Sequence, residues 1–99
     1  MTGIVSDETK TRTGKDFYDL YYNLYNDKKI NSRKIVSIGE EYSFARNTKI
    51  IITIDNETVY EFLARPDEDF LEAMAERSVY ATLLYLKNLE KESKYFTQY

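Results

Sequence analysis

The sequence contains no cysteine, no histidine and no tryptophan, and it has one proline and three glycines among its 99 residues. Without cysteine, the chain can form neither disulfides nor thiolate metal sites. Without histidine, it lacks the base of Ser-His and Cys-His nucleophile pairs and the commonest metal ligand. The remaining carboxylates, amines and phenols show no diagnostic spacing. We therefore predict that the protein is not an enzyme and uses no metal and no cofactor.

Long apolar runs are also missing. No stretch approaches the roughly 20 apolar residues that a membrane span requires, and residues 1–15 contain no apolar core of a signal peptide. Hydrophobic residues nevertheless make up 42% of the chain and aromatic residues 15%, which is too apolar for a disordered protein. The length fits one domain. These observations predict a soluble, cytoplasmic protein with a single core.

The first part of the chain predicts a tail followed by a helix. Residues 1–12 are polar and aperiodic, so we expect a flexible tail. Thr13 and Asp16 have the spacing of a capping box, which marks the start of a helix. The apolar residues that follow recur at helical spacing and predict one buried stripe. This stripe consists of Phe17, Leu20, Tyr21, Leu24 and Tyr25.

Three β-rich segments and a second helix follow. The segments cover residues 35–44, with a bulge or an interruption at Gly39, then 49–54 and 59–63. After Pro66, a helical pattern covers residues 70–89, with a break at 75–78 as the alternative, and residues 92–99 are expected to fray. The order α-β-β-β-α predicts an α+β two-layer sandwich. It has a three-stranded antiparallel sheet with two helices packed on one face, in a single domain of residues 13–91.

Two groups of side chains are candidates for binding another protein. The first is acidic and lies at the start of the second helix, where helix capping is the alternative role. The second is an exposed strip of aromatic and apolar residues on the two helices, where packing at the core edge is the alternative. The acidic group is Asp67, Glu68, Asp69, Glu72 and Glu76. The aromatic and apolar group is Tyr18, Tyr22, Tyr80 and Leu84.

The charge balance disfavours nucleic-acid binding. The formal net charge is −3, whereas proteins that depend on phosphate contacts are usually basic. If the chain did bind nucleic acid, the residues that contact phosphate would be Lys28, Lys29, Arg46 and Lys49.

The segment KIIITIDNETVYEF, with the helix from Ala75 to Leu86, resembles the second and third strands and the last helix of the double-stranded-RNA-binding domain. This resemblance implies the α-β-β-β-α fold and RNA contacts from the first helix, the loop between the first two strands and the start of the last helix. Here that loop lacks the family's Gly-Pro-x-His, and residues 67–69 are acidic where the family has lysines. The resemblance therefore implies a fold whose RNA-binding surface is lost.

The small size, acidity and element order also resemble small phage-encoded inhibitors, including acidic anti-CRISPR proteins. We therefore predict a non-enzymatic protein-binding module, and the negative charge favours a small viral or phage inhibitor of a host nucleic-acid-handling machine. Its partner would be a basic, nucleic-acid-binding host protein. The alternatives are a double-stranded-RNA-binding protein and a structural module that forms homodimers through Tyr80 and Leu84.

Overall fold

A computed structural model describes residues 4–28, 34–43 and 47–96. They form one mixed sheet of four strands, in the order β1-β2-β3-β4, and two helices. β1 is parallel to β2, and the other neighbouring strands are antiparallel. The α+β class is confirmed, but the prediction of a three-stranded antiparallel sheet is wrong. The elements are β1 (Ile4–Glu8), α1 (Arg12–Asp27), β2 (Ile35–Tyr42), β3 (Thr48–Ile54), β4 (Glu57–Leu63) and α2 (Glu68–Phe96).

The additional strand, β1, lies within the span that the sequence predicts as a flexible tail, residues 1–12. Val5 pairs with Val36 of β2 and is buried in the core. The strand has only two apolar residues, too few to show a period of two, and its hydrogen-bonding partner lies far along the sequence. Because β1 and β2 are parallel, their connection must cross over the sheet, and α1 provides that crossover.

Helix α1 begins two residues earlier than its sequence pattern suggests. Its N-cap is Thr11, whose hydroxyl accepts a hydrogen bond from the amide of Gly14 at 3.1 Å, so the predicted capping box at Thr13 is wrong. The predicted apolar stripe is confirmed. Three of its rings are fully buried, and the two leucines are half-buried beside them. The buried rings are those of Phe17, Tyr21 and Tyr25.

The central strands follow the expected alternation. Every second residue of β3 is buried, from Thr48 to Ile54, because one face of the sheet carries the core. Gly39 neither interrupts β2 nor forms a bulge, because its pairing with β3 is continuous. The irregularity in the sheet instead falls between Ile52 and Thr53 of β3, where the register with β4 shifts. Asp55 and Asn56 form the turn between β3 and β4: both residues have positive φ values, 50° and 70°, as type I′ hairpins require.

Helix α2 is one continuous helix from Glu68 to Phe96, so the alternative with a break at 75–78 is wrong. It also continues past residue 92, where the sequence predicts a fraying end; residues 97–99 lie outside the described part of the chain. Its buried side packs with α1 and the inner face of the sheet into one core. Both helices therefore lie on the same face, as predicted. The buried positions of α2 are Leu71, Met74, Ala75, Ser78, Val79 and Thr82.

Candidate protein-interaction surface

The exposed side of α2 carries a continuous row of residues spaced four apart. Glu68, Glu72 and Glu76 form its first part, and Tyr80 and Leu84 continue it. Residues at this spacing lie above one another on a helix surface. The side chain of Tyr80 is 64% exposed and that of Leu84 is 45% exposed. The structure therefore brings members of the two groups of candidates together on one helix face.

Two separate cavities lie along the seam between α1 and α2, and we call this seam the groove. Glu68 of the row borders one cavity, and Glu76 and Tyr80 border the other. The two helices run parallel, since residues near the start of α1 face the start of α2, and Leu24 near the end of α1 faces Val79. We call the part near Leu24 the apolar end. It has a volume of about 300 Å³. Its lining consists of Leu24, Lys28, Glu76, Val79, Tyr80 and Leu83.

The second cavity lies on the same seam, towards the start of both helices, and its lining combines carboxylates with Leu20, Pro66 and Leu71. Asp16 and Asp19 of α1 face Glu68 of α2 across a space of about 550 Å³, and Arg12 is the cation that lines it. We call this the acidic end. Among the residues that the structure describes, neither these three carboxylates nor those of Glu72 and Glu76 form an ion pair. The two ends thus differ in charge: three carboxylates and Arg12 line the acidic end, whereas Lys28 and Glu76 are the charged residues among the aliphatic and aromatic lining of the apolar end.

Two of the predicted acidic residues act at the start of α2. The carboxylate of Asp67 accepts a hydrogen bond from the amide of Phe70 at 3.1 Å, which caps the helix. Asp69 is exposed in the first helical turn, where a negative charge complements the helix dipole. Neither residue lines the described groove.

Tyr18 and Tyr22 lie on a different side of α1, towards β1. Their rings stack with centroids 5.9 Å apart, and the Tyr18 hydroxyl donates to the carbonyl oxygen of Val5 at 3.2 Å. Burial, with the nearby charge of Asp7, raises the pKa of Tyr18. Tyr22 is exposed. The two tyrosines are therefore separate from the surface around Tyr80.

The structure does not gather the basic candidates into a patch. Lys28 caps the end of α1 and lines the apolar end of the groove. Lys49 lies on the opposite face of the sheet, where its ammonium group is 3.7 Å from the Glu61 carboxylate. Lys29 and Arg46 lie outside the described residues.

A buried carboxylate that the sequence reasoning did not identify connects the loop between β1 and α1 to strands β2 and β3. Glu40 of β2 is 3% exposed, and four donors surround it. The amides of Lys10 and Thr11 donate to Oε1 at 2.7 and 2.9 Å, and the hydroxyls of Thr11 and Thr48 donate to Oε2 at 2.6 and 2.5 Å. Burial alone would raise the pKa of Glu40, but these hydrogen bonds outweigh it and lower the pKa. Glu40 lies at an even spacing from Val36 and Ile38, a signal that places it on the core face of its strand.

The described residues contain neither a cluster of carboxylates suited to a metal ion nor a helix long and apolar enough to cross a membrane. The fold and surface define a class: a small α+β protein with an amphipathic groove between two parallel helices. The family model for the curli assembly protein CsgE matches residues 1–98. The chain therefore belongs to the CsgE family of curli assembly proteins. No curated protein matches it.

This family membership corrects the predicted identity and function. The resemblances to the double-stranded-RNA-binding domain and to anti-CRISPR inhibitors are wrong, because the match covers nearly the whole chain. The roles inferred from them, a viral inhibitor or an RNA-binding protein, are wrong for the same reason, and the homodimeric structural module is likewise replaced by a role in curli assembly. That role implies contacts with other proteins, so the general prediction of a protein partner is confirmed.

Proposed function

We propose that the chain is a protein-binding factor of curli assembly, without catalytic activity, and that it contacts its partner through the apolar end of the groove together with Tyr80 and Leu84. The observation that carries this proposal is the exposure of these two large side chains, one helical turn apart, beside an apolar groove. Interfaces are enriched in aromatic residues at their cores, and a tyrosine beside a groove is a typical anchor.

The surroundings of Tyr80 support this assignment. Val79 and Leu83, on either side of it in the sequence, connect the exposed strip to the core. A partner side chain inserted between Leu24 and Val79 would therefore be enclosed by rigid helices, which reduces the entropy lost on binding. The absence of histidine and cysteine from the sequence agrees with a role that depends on contacts and not on catalysis.

The proposal can be tested in the bacterium that encodes the chain. Deleting the chain should reduce curli assembly, and a Tyr80→Ser/Leu84→Ser variant should reproduce the deletion although it accumulates to the normal level. Curli at the cell surface and the amount of the variant are measured together, so that loss of the protein is not mistaken for loss of binding.

The sheet offers a matched control. Tyr42 and Leu63 are 72% and 52% exposed and lie on β2 and β4, away from the groove. A Tyr42→Ser/Leu63→Ser variant removes the same two side-chain types and should leave curli assembly intact. Normal assembly by the Tyr80/Leu84 variant, or equal defects in both variants, would contradict the assignment of the surface. Normal assembly after deletion would contradict the role itself.

A further inference from the structure

The groove between α1 and α2 has two chemically different ends. This difference indicates which side chains a bound segment carries, which the exposure of Tyr80 and Leu84 does not. The apolar end is lined by Leu24, Val79, Tyr80 and Leu83, with one cation and one carboxylate, Lys28 and Glu76. The acidic end carries three carboxylates and one cation, namely Asp16, Asp19, Glu68 and Arg12. Along α2, the twelve helical steps between Glu68 and Tyr80 correspond to about 18 Å. A ligand that fills both ends must therefore carry different types of side chain at its two ends, separated by that distance.

We propose that the groove binds a segment of a partner protein that carries apolar side chains at one end and lysine or arginine side chains at the other. This inference rests on the proposed function and names the chemistry of the partner. The apolar side chains lie between Leu24 and Val79, and the cationic ones lie between Asp16 and Glu68. A helix is the conformation of the bound segment, because an amphipathic helix fits a groove between two helices.

Charge complementarity selects this occupant over an acidic or neutral one. Asp16, Asp19 and Glu68 converge on the acidic end, whereas Arg12 is the cation there. Within the described parts of the chain, the three ion pairs join Lys15 to Asp7, Lys34 to Asp55 and Lys49 to Glu61. None of them neutralises the groove. Its field therefore attracts cationic segments and repels anionic ones, which affects both the rate of association and the specificity.

The apolar end makes the site more than a cluster of acids. Carboxylates alone would attract any cation weakly, and added salt would screen that attraction. Burial of leucine or phenylalanine side chains against Leu24, Val79 and Leu83 contributes a part of the affinity that salt does not remove. The proposal thus predicts binding that weakens with salt but does not vanish.

The probe is a synthetic helical peptide of about 16 residues, about 24 Å in length, with leucines at one end and lysines at the other. Two matched peptides replace the lysines with glutamate or the leucines with serine. Binding to the full chain is measured by calorimetry at low and moderate salt, and amide chemical shifts show where the peptide lies. We expect shifts at both ends of the groove and at least about tenfold weaker binding for each matched peptide.

Variants of the chain distinguish the effect of the groove carboxylates on peptide affinity from the effect of net charge. The Asp16→Asn/Glu68→Gln variant should bind the lysine peptide about 3- to 10-fold more weakly, because two exposed charge contacts are lost. Glu41→Gln/Glu57→Gln makes the same change in net charge on the sheet, where both carboxylates are exposed, and should stay within about twofold of the unchanged protein. Equal weakening by both variants, or chemical shifts outside the groove, would overturn the proposal.

A second copy of the chain is the competing occupant. If the amide chemical shifts of groove residues change with protein concentration alone, and the lysine peptide fails to bind, then another copy of the chain fills the groove. The inference is wrong in that case. These outcomes are independent of curli assembly by the Tyr80→Ser/Leu84→Ser variant. Loss of curli in that variant, combined with unchanged peptide affinity in Asp16→Asn/Glu68→Gln, would reject the basic partner and keep the proposed function.

Discussion

Gly14 of α1 packs directly against the carboxylate of Glu40 on β2: a Cβ added to the glycine would overlap the oxygen Oε1. The close approach lets the first turn of α1 reach the buried carboxylate, so that Thr11 can bond to Glu40 while it caps the helix at Gly14. The cap of α1 and the buried acid of the sheet therefore form one hydrogen-bonded unit. The stability of the protein should be sensitive to any change in this unit.

Gly14→Ala should destabilise the protein by about 1–3 kcal/mol, because Glu40 has to move away from its donors. This outcome reverses the usual effect of the substitution within a helix, which favours alanine by about 1 kcal/mol. Gly39→Ala is the matched control, since its Cβ would meet only the carbonyl oxygen of Ile51 at 3.9 Å. Urea unfolding of both variants tests this prediction, and equal stability of the two would contradict it.

Glu40→Gln should lower the free energy of unfolding by about 2–3 kcal/mol. Glutamine retains one acceptor oxygen but turns an NH₂ group towards hydroxyls and amides that also donate, which leaves buried donors without partners. Glu41→Gln, one position along the strand and exposed, should change stability by less than about 0.5 kcal/mol. A small effect at both positions would show that the hydrogen bonds to Glu40 contribute little.

Stability should fall in acid, and Glu40 should account for part of that loss. Burial raises the pKa of Glu40, but the hydrogen bonds lower it by more, so the pKa in the folded protein lies below the unfolded value. Its contribution is complete above the unfolded pKa, about 4.3, and disappears as the pH falls through the folded pKa. Asp7, hydrogen-bonded by Lys15 and Thr9, also has a lowered pKa and acts in the same direction. Urea unfolding at a series of pH values should show that the free energy of unfolding of Glu40→Gln falls less steeply in acid than that of the unchanged protein. An equally steep fall would show that Glu40 does not contribute to the acid sensitivity.

Two buried tyrosines of α1 should respond in opposite ways to loss of the hydroxyl. The Tyr21 hydroxyl lies 2.6 Å from the hydroxyl of Thr82, which donates to the carbonyl of Ser78 at 2.8 Å. Tyr21→Phe should therefore cost about 1 kcal/mol. The Tyr25 hydroxyl is buried without a partner among the described residues, so Tyr25→Phe should be neutral or stabilising. Thermal unfolding of the two variants tests this prediction, and a similar loss of stability in both would contradict it.

Tyr80→Ser/Leu84→Ser should leave the free energy of unfolding within about 1 kcal/mol of the unchanged protein, because both side chains are exposed. Leu71→Ala, at a buried position of the same helix, should cost about 2–5 kcal/mol. Circular dichroism during urea unfolding compares them. A large loss of stability in the exposed double variant would mean that Tyr80 and Leu84 belong to the core.

The sequence was sufficient for elements with a repeated apolar pattern. The stripe of α1 and the alternating isoleucines of β3 could be recognised because burial on one face imposes a period. β1 could not, because its five residues contain only Ile4 and Val5 as apolar signals, and its pairing with β2 depends on the tertiary structure. Missing β1 also produced the α-β-β-β-α order on which the incorrect family resemblance rested.

The candidate surface was predicted in part for a similar reason. The exposure of Tyr80 and Leu84 follows from their position on α2, which the sequence already indicates. The groove does not, because it requires Leu24 and Val79 from two helices whose relative direction is set by the crossover from β1. Glu40 was missed because an acidic residue on the core face of a strand is recognised only when its alternation with Val36 and Ile38 is given more weight than its charge.

The parallel pairing of β1 with β2 has a kinetic consequence. The hairpins β2–β3 and β3–β4 close short loops, whereas Ile4 meets Ile35 only after roughly thirty intervening residues have been arranged, and such non-local contacts form slowly. We therefore expect the N-terminal strand to dock late, onto an edge of β2 that is already formed. Until then that edge is an open template for another strand, so the folding chain passes through a state in which a foreign β-segment competes with its own N-terminus.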